Sequence, residues 1–340
     1  KQAEGEFGTF RLTENGEAFN TIFTVNRLRS SSIPSDSNVV ISTIQRLFSF
    51  LKGETIEDND DDENEPIEEV TLPPNPNLPH DYFDMIIIDE CHRSIYGNWR
   101  KVLEYFDTAR LVGLTATPIP ETMAFFNNNC IVNYTLEKSI VDGVNVDCRV
   151  YRIKTQVTET GGAILEGEKF KEETRYTGEV KIVSSKETKI YTNKELNRSI
   201  INPAQIKLVL STYRDVVYTE LFNDPQREPN MDFLPKTLIF ALNEAHATNI
   251  VQIAKEVFGR TDDRFVQKIT YSAGDSNELI RQFRNDKDFR IAVTCTLVAT
   301  GTDVKPLEVV MFMRDVESLP LYIQMKGRGV RTIGDEQLRN

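Results

Sequence analysis

Apolar residues along this chain fall into short continuous runs that alternate with stretches of helical spacing. NVVISTIQRLFSFL predicts a short strand at residues 38–42 running into a helix, and DMIIIDE has the continuous apolar run of a strand buried on both faces of a parallel sheet. NWRKVLEYF has helical periodicity, and ARLVGLTATP reads as a further strand ended by Pro118. CRVYRIKTQVT alternates apolar and polar residues and predicts a strand; GGAILEGEKFKEETRYTGEVKIV predicts an irregular hairpin region. NPAQIKLVLSTYRDVVYTELF predicts a long amphipathic helix with Asn202 as its cap and Pro203 in its first turn.

Beyond it, strand and helix alternate regularly. KTLIFAL, RFVQKITYSA, FRIAVTCTLVATG and LEVVMFMRD read as strands; EAHATNIVQIAKEVFG, SNELIRQFR and LPLYIQMKGRGVR as helices. Such alternation is the signature of α/β architecture with parallel sheets. It occurs in two blocks with a changeover near residues 142–145, which predicts two α/β domains, 1–143 and 144–340.

Charge changes this picture at one place. The chain of 340 residues carries a formal net charge of −12. Ten acidic residues lie between positions 54 and 69 with no Lys or Arg among them, and removing them takes −12 to −2. The acidity therefore belongs to a local insertion, residues 52–80, expected to be an unstructured surface loop. The remaining surface is free to carry a basic groove for nucleic acid. No apolar run approaches the roughly 18 residues of a membrane span. The N-terminus lacks the apolar core of a signal peptide. Cys91, Cys130, Cys148 and Cys295 form no CxxC, and there are three histidines, so neither a zinc site nor a disulfide framework is expected. A reducing, cytoplasmic setting is the expectation.

Four stretches could carry chemistry. Asp89 and Glu90 follow an apolar strand, where ligands of open parallel sheets collect. One carboxylate there suits a magnesium ion and a second suits an attacking water; the ordinary alternative is a solvated strand end. In LTATP, Thr115 and Thr117 can hydrogen-bond to His92, or simply form a turn before proline. In ATGTDV, Gly301 permits close backbone approach and Asp303 can accept from a ribose hydroxyl. In QMKGRGVR, Gln324, Arg328 and Arg331 lie near a helix–loop junction, the two arginines three apart as on one helical face. Guanidinium groups suit phosphate oxygens.

The order DECH, TATP, TGTD and QMKGRGVR resembles motifs II, III, V and VI of superfamily 2 helicases and translocases. More specifically, residues 39–332, apart from the insertion and the hairpin region, resemble the motor of the restriction (R) subunit of type I restriction-modification enzymes. VVISTIQRL is similar to motif Ib and PKTLIFALNEAHA to motif IV.

The resemblance implies two RecA-like domains, the first N-terminally truncated, with ATP and Mg2+ as cofactors. Asp89 would hold the magnesium and Glu90 would activate water. His92, Thr115, Thr117 and Gln324 would couple nucleotide state to domain closure. Gly301 and Asp303 would lie by the ribose, with Arg328 and Arg331 as arginine fingers. Thr43, Gln45 and Arg46 would lie near the backbone of double-stranded DNA. Methyltransferase and specificity subunits would be partners, and no membrane is implied. The full protein would couple DNA translocation to endonucleolytic cleavage.

No GxxxxGK[ST] phosphate loop occurs in the sequence; GAILEGEK has the wrong spacing and place. The expectation is a fragment without Walker A loop or nuclease domain, inactive as an ATPase alone. Two other readings stay open: another superfamily 2 DNA or RNA helicase, and a non-catalytic interaction module derived from one.

Overall fold

A computed structural model of the chain describes residues 2–54, 71–153, 203–225, 227–270, 275–295, 304, 306–316 and 318–332, with four short strands between 162 and 191. The acidic run at 55–70 lies outside the described residues. The chain divides into two compact units, Lys1–Asn133 and Tyr134–Asn340. The sequence pattern puts the boundary at 143/144. The structure assigns residues 134–143 to the second unit, where Val146 N–H donates to the Val330 carbonyl (2.8 Å) and the Thr332 hydroxyl to that of Val144 (2.9 Å).

In the first unit, α1 (Gln2–Thr9) and α2 (Phe19–Ile22) precede β1 (Val25–Arg27), which pairs in parallel with β2 (Val39–Ile41). Helix α3 (Ile44–Lys52) starts where the Thr43 hydroxyl accepts from Arg46 N–H, and stops at Gly53 with φ 75°. Strand β3 (Met85–Ile88) pairs in parallel with β4 (Arg110–Gly113), Met85 opposite Arg110 and Ile88 opposite Gly113. Helices α4 (Gly97–Tyr105) and α5 (Pro120–Phe125) complete the unit.

Its core is formed by Phe48, Phe50 and Leu51 of α3 against Trp99 and Val102 of α4, with Phe106, Leu28 and Leu78. Phe48 and Trp99 meet edge to face, ring centroids 5.5 Å apart. Two expectations need correction. Strand β3 is buried on one face only: Ile86 and Ile88 pack inward, whereas Met85 is 52% and Ile87 61% exposed. Strand alternation sends those two side chains away from the helical layer. Trp99 is buried, whereas nearby Tyr96 is exposed, against the expectation that both aromatic rings sit in the core.

The second unit begins with α6 (Leu136–Val141). In the hairpin region β6 (Lys169–Glu173) pairs antiparallel with β7 (Val180–Ser184), and β5 (Gly162–Ile164) with β8 (Lys189–Tyr191). Helix α7 (Pro203–Val216) continues into a π-helical turn, Val217–Leu221; its expected cap, Asn202, lies outside the described residues. There follow β9 (Thr237–Phe240), α8 (Glu244–Phe258), β10 (Val266–Lys268), α9 (Ser276–Asn285), β11 (Ile291–Thr294), β12 (Val309–Phe312) and α10 (Leu319–Lys326).

The four strands form one parallel sheet in the order β10-β11-β9-β12. All residues of β9 and β11 are buried, as continuous apolar runs require when helices cover both faces. Ile239 and Val293 face Leu210, Tyr213 and Ile250 of α7 and α8. Leu238 and Ala292 face Ile280 and Phe283 of α9 and Met325 of α10. The predicted strand over CRVYRIKTQVT is not formed at residues 148–153, which among the described residues pair with no strand; its remainder lies outside the described residues.

The contrast between the two sheets is measurable. Leu238→Ala, at a site with no exposure, should destabilise by about 3 kcal/mol in denaturant unfolding. Met85→Ala, already half in water, should cost less than about 1 kcal/mol.

Candidate functional site

The ends of β3 and β4 are joined by backbone hydrogen bonds. Leu114 N–H donates to the Ile88 carbonyl (2.8 Å), and Cys91 N–H donates back to the Leu114 carbonyl (3.0 Å). Between Ile88 and Cys91 the chain must reverse within two residues. It does so through Glu90, whose φ of 48° and ψ of 46° are left-handed. For a residue with a Cβ this costs about 1 kcal/mol. Glu90 N–H donates to Asp89 Oδ1 at 3.0 Å, and a 3-10 turn, Cys91–Arg93, follows.

That reversal folds the Glu90 carboxylate back over His92, with Oε2 3.5 Å from Nδ1. The same nitrogen lies 3.0 Å from Thr115 Oγ1 and 3.4 Å from Thr117 Oγ1. His92 is buried, so two hydroxyls and one carboxylate compete for a single ring nitrogen. The shortest contact, to Thr115, is the hydrogen bond; Thr115 Oγ1 also accepts from Thr117 N–H at 3.0 Å. An unprotonated Nδ1 accepts from the Thr115 hydroxyl, whereas an Nδ1–H donates and favours the carboxylate.

Glu90 Oε2 is buried and has no hydrogen-bond partner. An orphaned carboxylate oxygen beside an exposed Asp89 fits a site that orients water next to a cation. Among the described residues no three metal-ligating side chains cluster. That donor set fits magnesium, which takes one or two carboxylates and completes its shell with water and phosphate oxygens. The structure thus brings Asp89, Glu90, His92, Thr115 and Thr117 together.

Cys91 serves packing. It is buried against Ile88 and Leu103, and burial pushes its thiol pKa up. Gly113 makes this fit possible, since a Cβ there would lie 2.8 Å from Cys91 Sγ and 2.6 Å from the Phe126 ring. The sequence reading passed over Gly113; a glycine directly ahead of LTATP was the signal.

The other candidates are placed differently. Thr43 caps α3 and Gln45 is half-buried. Arg46, expected near a DNA backbone, is 2% exposed, and its guanidinium donates to the Leu28 carbonyl at 3.1 Å. The hydrophobic face of α3 carries it into the interior, so its side chain does not reach a phosphate from this position. In the second unit, Gln324 is half-buried on α10 and Arg328 lies in the 3-10 turn Gly327–Gly329. Arg331 does not share a helical face with Arg328: Val330, at φ −109° and ψ 16°, leaves the helix, and Arg331 forms an antiparallel bridge with Asn145. Gly301 and Asp303 lie outside the described residues.

His246, at the start of α8, is structural. Its Nδ1 accepts from Leu242 N–H at 3.2 Å, and burial lowers its pKa from 6.5 to about 4. Between those values the unfolded chain binds the proton that the folded chain refuses. Its stabilising contribution is complete above pH 6.5 and lost as pH falls to about 4. His246→Asn, which keeps an acceptor near Nδ1, should flatten the stability–pH curve there, measured against the parent by urea unfolding.

Two substitutions probe the turn. Glu90→Gly should raise stability by about 1 kcal/mol by relieving the left-handed strain. Thr115→Val should lower it by about 1 kcal/mol by removing the hydroxyl shared by His92 and Thr117. Thermal or denaturant unfolding reads both.

Comparison with known proteins follows the same outline. The family described as "Type III restriction enzyme, res subunit" matches residues 1–120. The EcoAI type I restriction enzyme endonuclease subunit of Escherichia coli is 30% identical over 264 residues, covering 74% of this chain and 30% of that protein. The EcoKI endonuclease subunit of E. coli strain K12 is 27% identical over 365 residues, covering 97% of this chain and 28% of that protein. A fragment structure described as an HsdR subunit of a type I restriction enzyme from Vibrio vulnificus YJ016 has the same fold. It superimposes with a TM-score of 0.59 at 22% identity, covering 94% of this chain and 49% of that one. The chain therefore spans about 30% of the length of the curated relatives it matches. The fold is that of the RecA-like domains of superfamily 2 helicases, and the chain is an HsdR-like protein built on a superfamily 2 helicase core.

Proposed function

We propose that this chain is the core of an ATP-driven motor that moves along double-stranded DNA within a restriction enzyme. One observation carries the reading: the left-handed Glu90 turn sets an orphaned buried carboxylate oxygen over His92, beside Asp89, at the paired ends of β3 and β4. Similarity to endonuclease subunits of type I enzymes supports the substrate class.

Asp89 would hold magnesium jointly with ATP phosphates and water. Bound magnesium–ATP would supply a phosphoanhydride bond whose γ-phosphate is open to water. Glu90 orients that water and takes its proton. His92 holds Glu90 in register with Thr115 and Thr117, which lie directly after β4. Arg328 and Arg331 stabilise charge on the transferring phosphate, and Gln324 senses it. Gly301 and Asp303 contact the ribose. Thr43 and Gln45 face the DNA backbone, where contacts are to phosphate and independent of sequence; Arg46 is left out of that set. Sequence choice and methylation belong to specificity and methyltransferase partners. The sequence contains no GxxxxGK[ST] loop.

The test uses a polypeptide that joins this chain to a phosphate loop. Duplex DNA should stimulate its ATP hydrolysis, and Glu90→Gln should lower kcat by about a hundredfold or more with ATP binding retained. An unchanged kcat in Glu90→Gln, or turnover indifferent to DNA, would remove the basis of the reading.

A further inference from the structure

The segment that opens the second unit is tied to the turn that carries Arg328 and Arg331. Helix α6 ends where Gly143, at φ 73°, reverses the chain. Gly143 N–H donates to the Ile140 carbonyl (3.0 Å) and Val144 N–H to that of Ser139 (2.9 Å). Ser139 is buried, and it gathers the residues that follow. Its carbonyl also accepts from Asn145 N–H (3.1 Å). Its hydroxyl accepts from Asn145 Nδ2 (2.9 Å) while donating to the Leu136 carbonyl (2.7 Å). Asn145 is thus held on α6 through both its backbone and its side chain.

The other side of the same residues holds the turn. Asn145 forms an antiparallel bridge with Arg331, and both neighbours of Arg331 are bonded. The Val330 carbonyl accepts from Val146 N–H (2.8 Å), and the Thr332 hydroxyl donates to the Val144 carbonyl (2.9 Å). A further contact joins the end of α10 to this segment: Cys148 hydrogen-bonds the Lys326 ammonium, which raises the lysine's pKa. The turn also lies against β12, with Gly329 so close that a Cβ there would be 2.9 Å from Val310 Cγ2.

These contacts matter because the helix no longer directs Arg331. Helix α10 ends at Lys326, and Val330, at φ −109° and ψ 16°, has left helical geometry. The backbone at Arg331 is instead fixed on both sides, by bonds that end on residues 144 and 146. Stabilisation of charge on a reacting phosphate is steep in position, and a misplacement of about 1 Å can cost about a hundredfold in rate.

We propose that Asn145 and Ser139 are positioning residues that clamp the Arg328–Arg331 turn, so that Arg331 is aimed by the segment that opens the second unit. The effect on rate deepens the proposed motor reading and rests on it; the clamp itself does not.

Two measurements test the clamp and its consequence. In this chain without nucleotide, Asn145→Ala and Ser139→Ala should each speed amide exchange at Val146 by about fivefold, with the amides of β9 and β11 unchanged. In the polypeptide that joins this chain to a phosphate loop, each should lower kcat by about tenfold and keep KM for ATP within about twofold. The two together should cost no more than either alone, because they remove one shared bond. Tyr134→Phe removes a different hydrogen bond across α6, from the Tyr134 hydroxyl to Asp142 Oδ2 (2.9 Å), and should leave both exchange and kcat unchanged. Unchanged exchange at Val146 in Asn145→Ala and Ser139→Ala overturns the clamp. Faster exchange with an unchanged kcat overturns the positioning role. So does an equal loss of kcat in Tyr134→Phe, which assigns the effect to α6 as a whole. A parent polypeptide that hydrolyses no ATP removes the motor reading and the effect on rate with it, and the exchange result still decides the clamp.

Discussion

The paired ends of β3 and β4 are the constraint on which the first unit depends. Two backbone hydrogen bonds, from Leu114 to Ile88 and from Cys91 to Leu114, fix where β3 stops and how the chain turns. The turn is completed by the left-handed Glu90, at φ 48° and ψ 46°. The reversal places the carboxylate over His92, and the loop after β4 supplies the two threonines that compete with it. Gly113 and Cys91 supply the close packing beneath. A strained residue persists here because its surroundings over-determine it.

The two sheets divide the work differently. In the second unit β9 and β11 lie fully buried between helical layers, the rigid frame such an α/β sheet needs. In the first, one face of β3 is in water. The polar residues are confined to strand ends and to the turn after α10, so chemistry and core do not compete for the same positions. Some polar groups that enter the core are bonded there: Lys236 donates to the carbonyls of Arg284 and Asp286, and Tyr213 meets Thr237 at 2.7 Å.

Much of this was legible in the sequence, for physical reasons. Continuous apolar runs announced β9, β11 and β12, and helical periodicity announced α7 through α9. The pairing of His92 with Thr115 and Thr117 followed from two strand ends being neighbours. What remained hidden depends on three-dimensional neighbours. Composition alone does not show that MIII has one wet face, or that a left-handed residue closes the DECH turn. Arg46 was expected near a DNA backbone through the likeness to motif Ib, yet it lies among the buried residues of α3. Arg328 and Arg331 have helical spacing, but Val330 ends the helix between them. Residues 148–153 belong to a run that alternates like a strand, yet among the described residues no strand pairs with them.

The central claim is that His92 locks the end of β3 to the loop after β4 through one shared nitrogen. A double-mutant cycle of His92→Ala and Thr115→Val, read in unfolding free energy, tests it most directly. The account predicts a coupling of about 1 kcal/mol. Additivity within about 0.3 kcal/mol would contradict it.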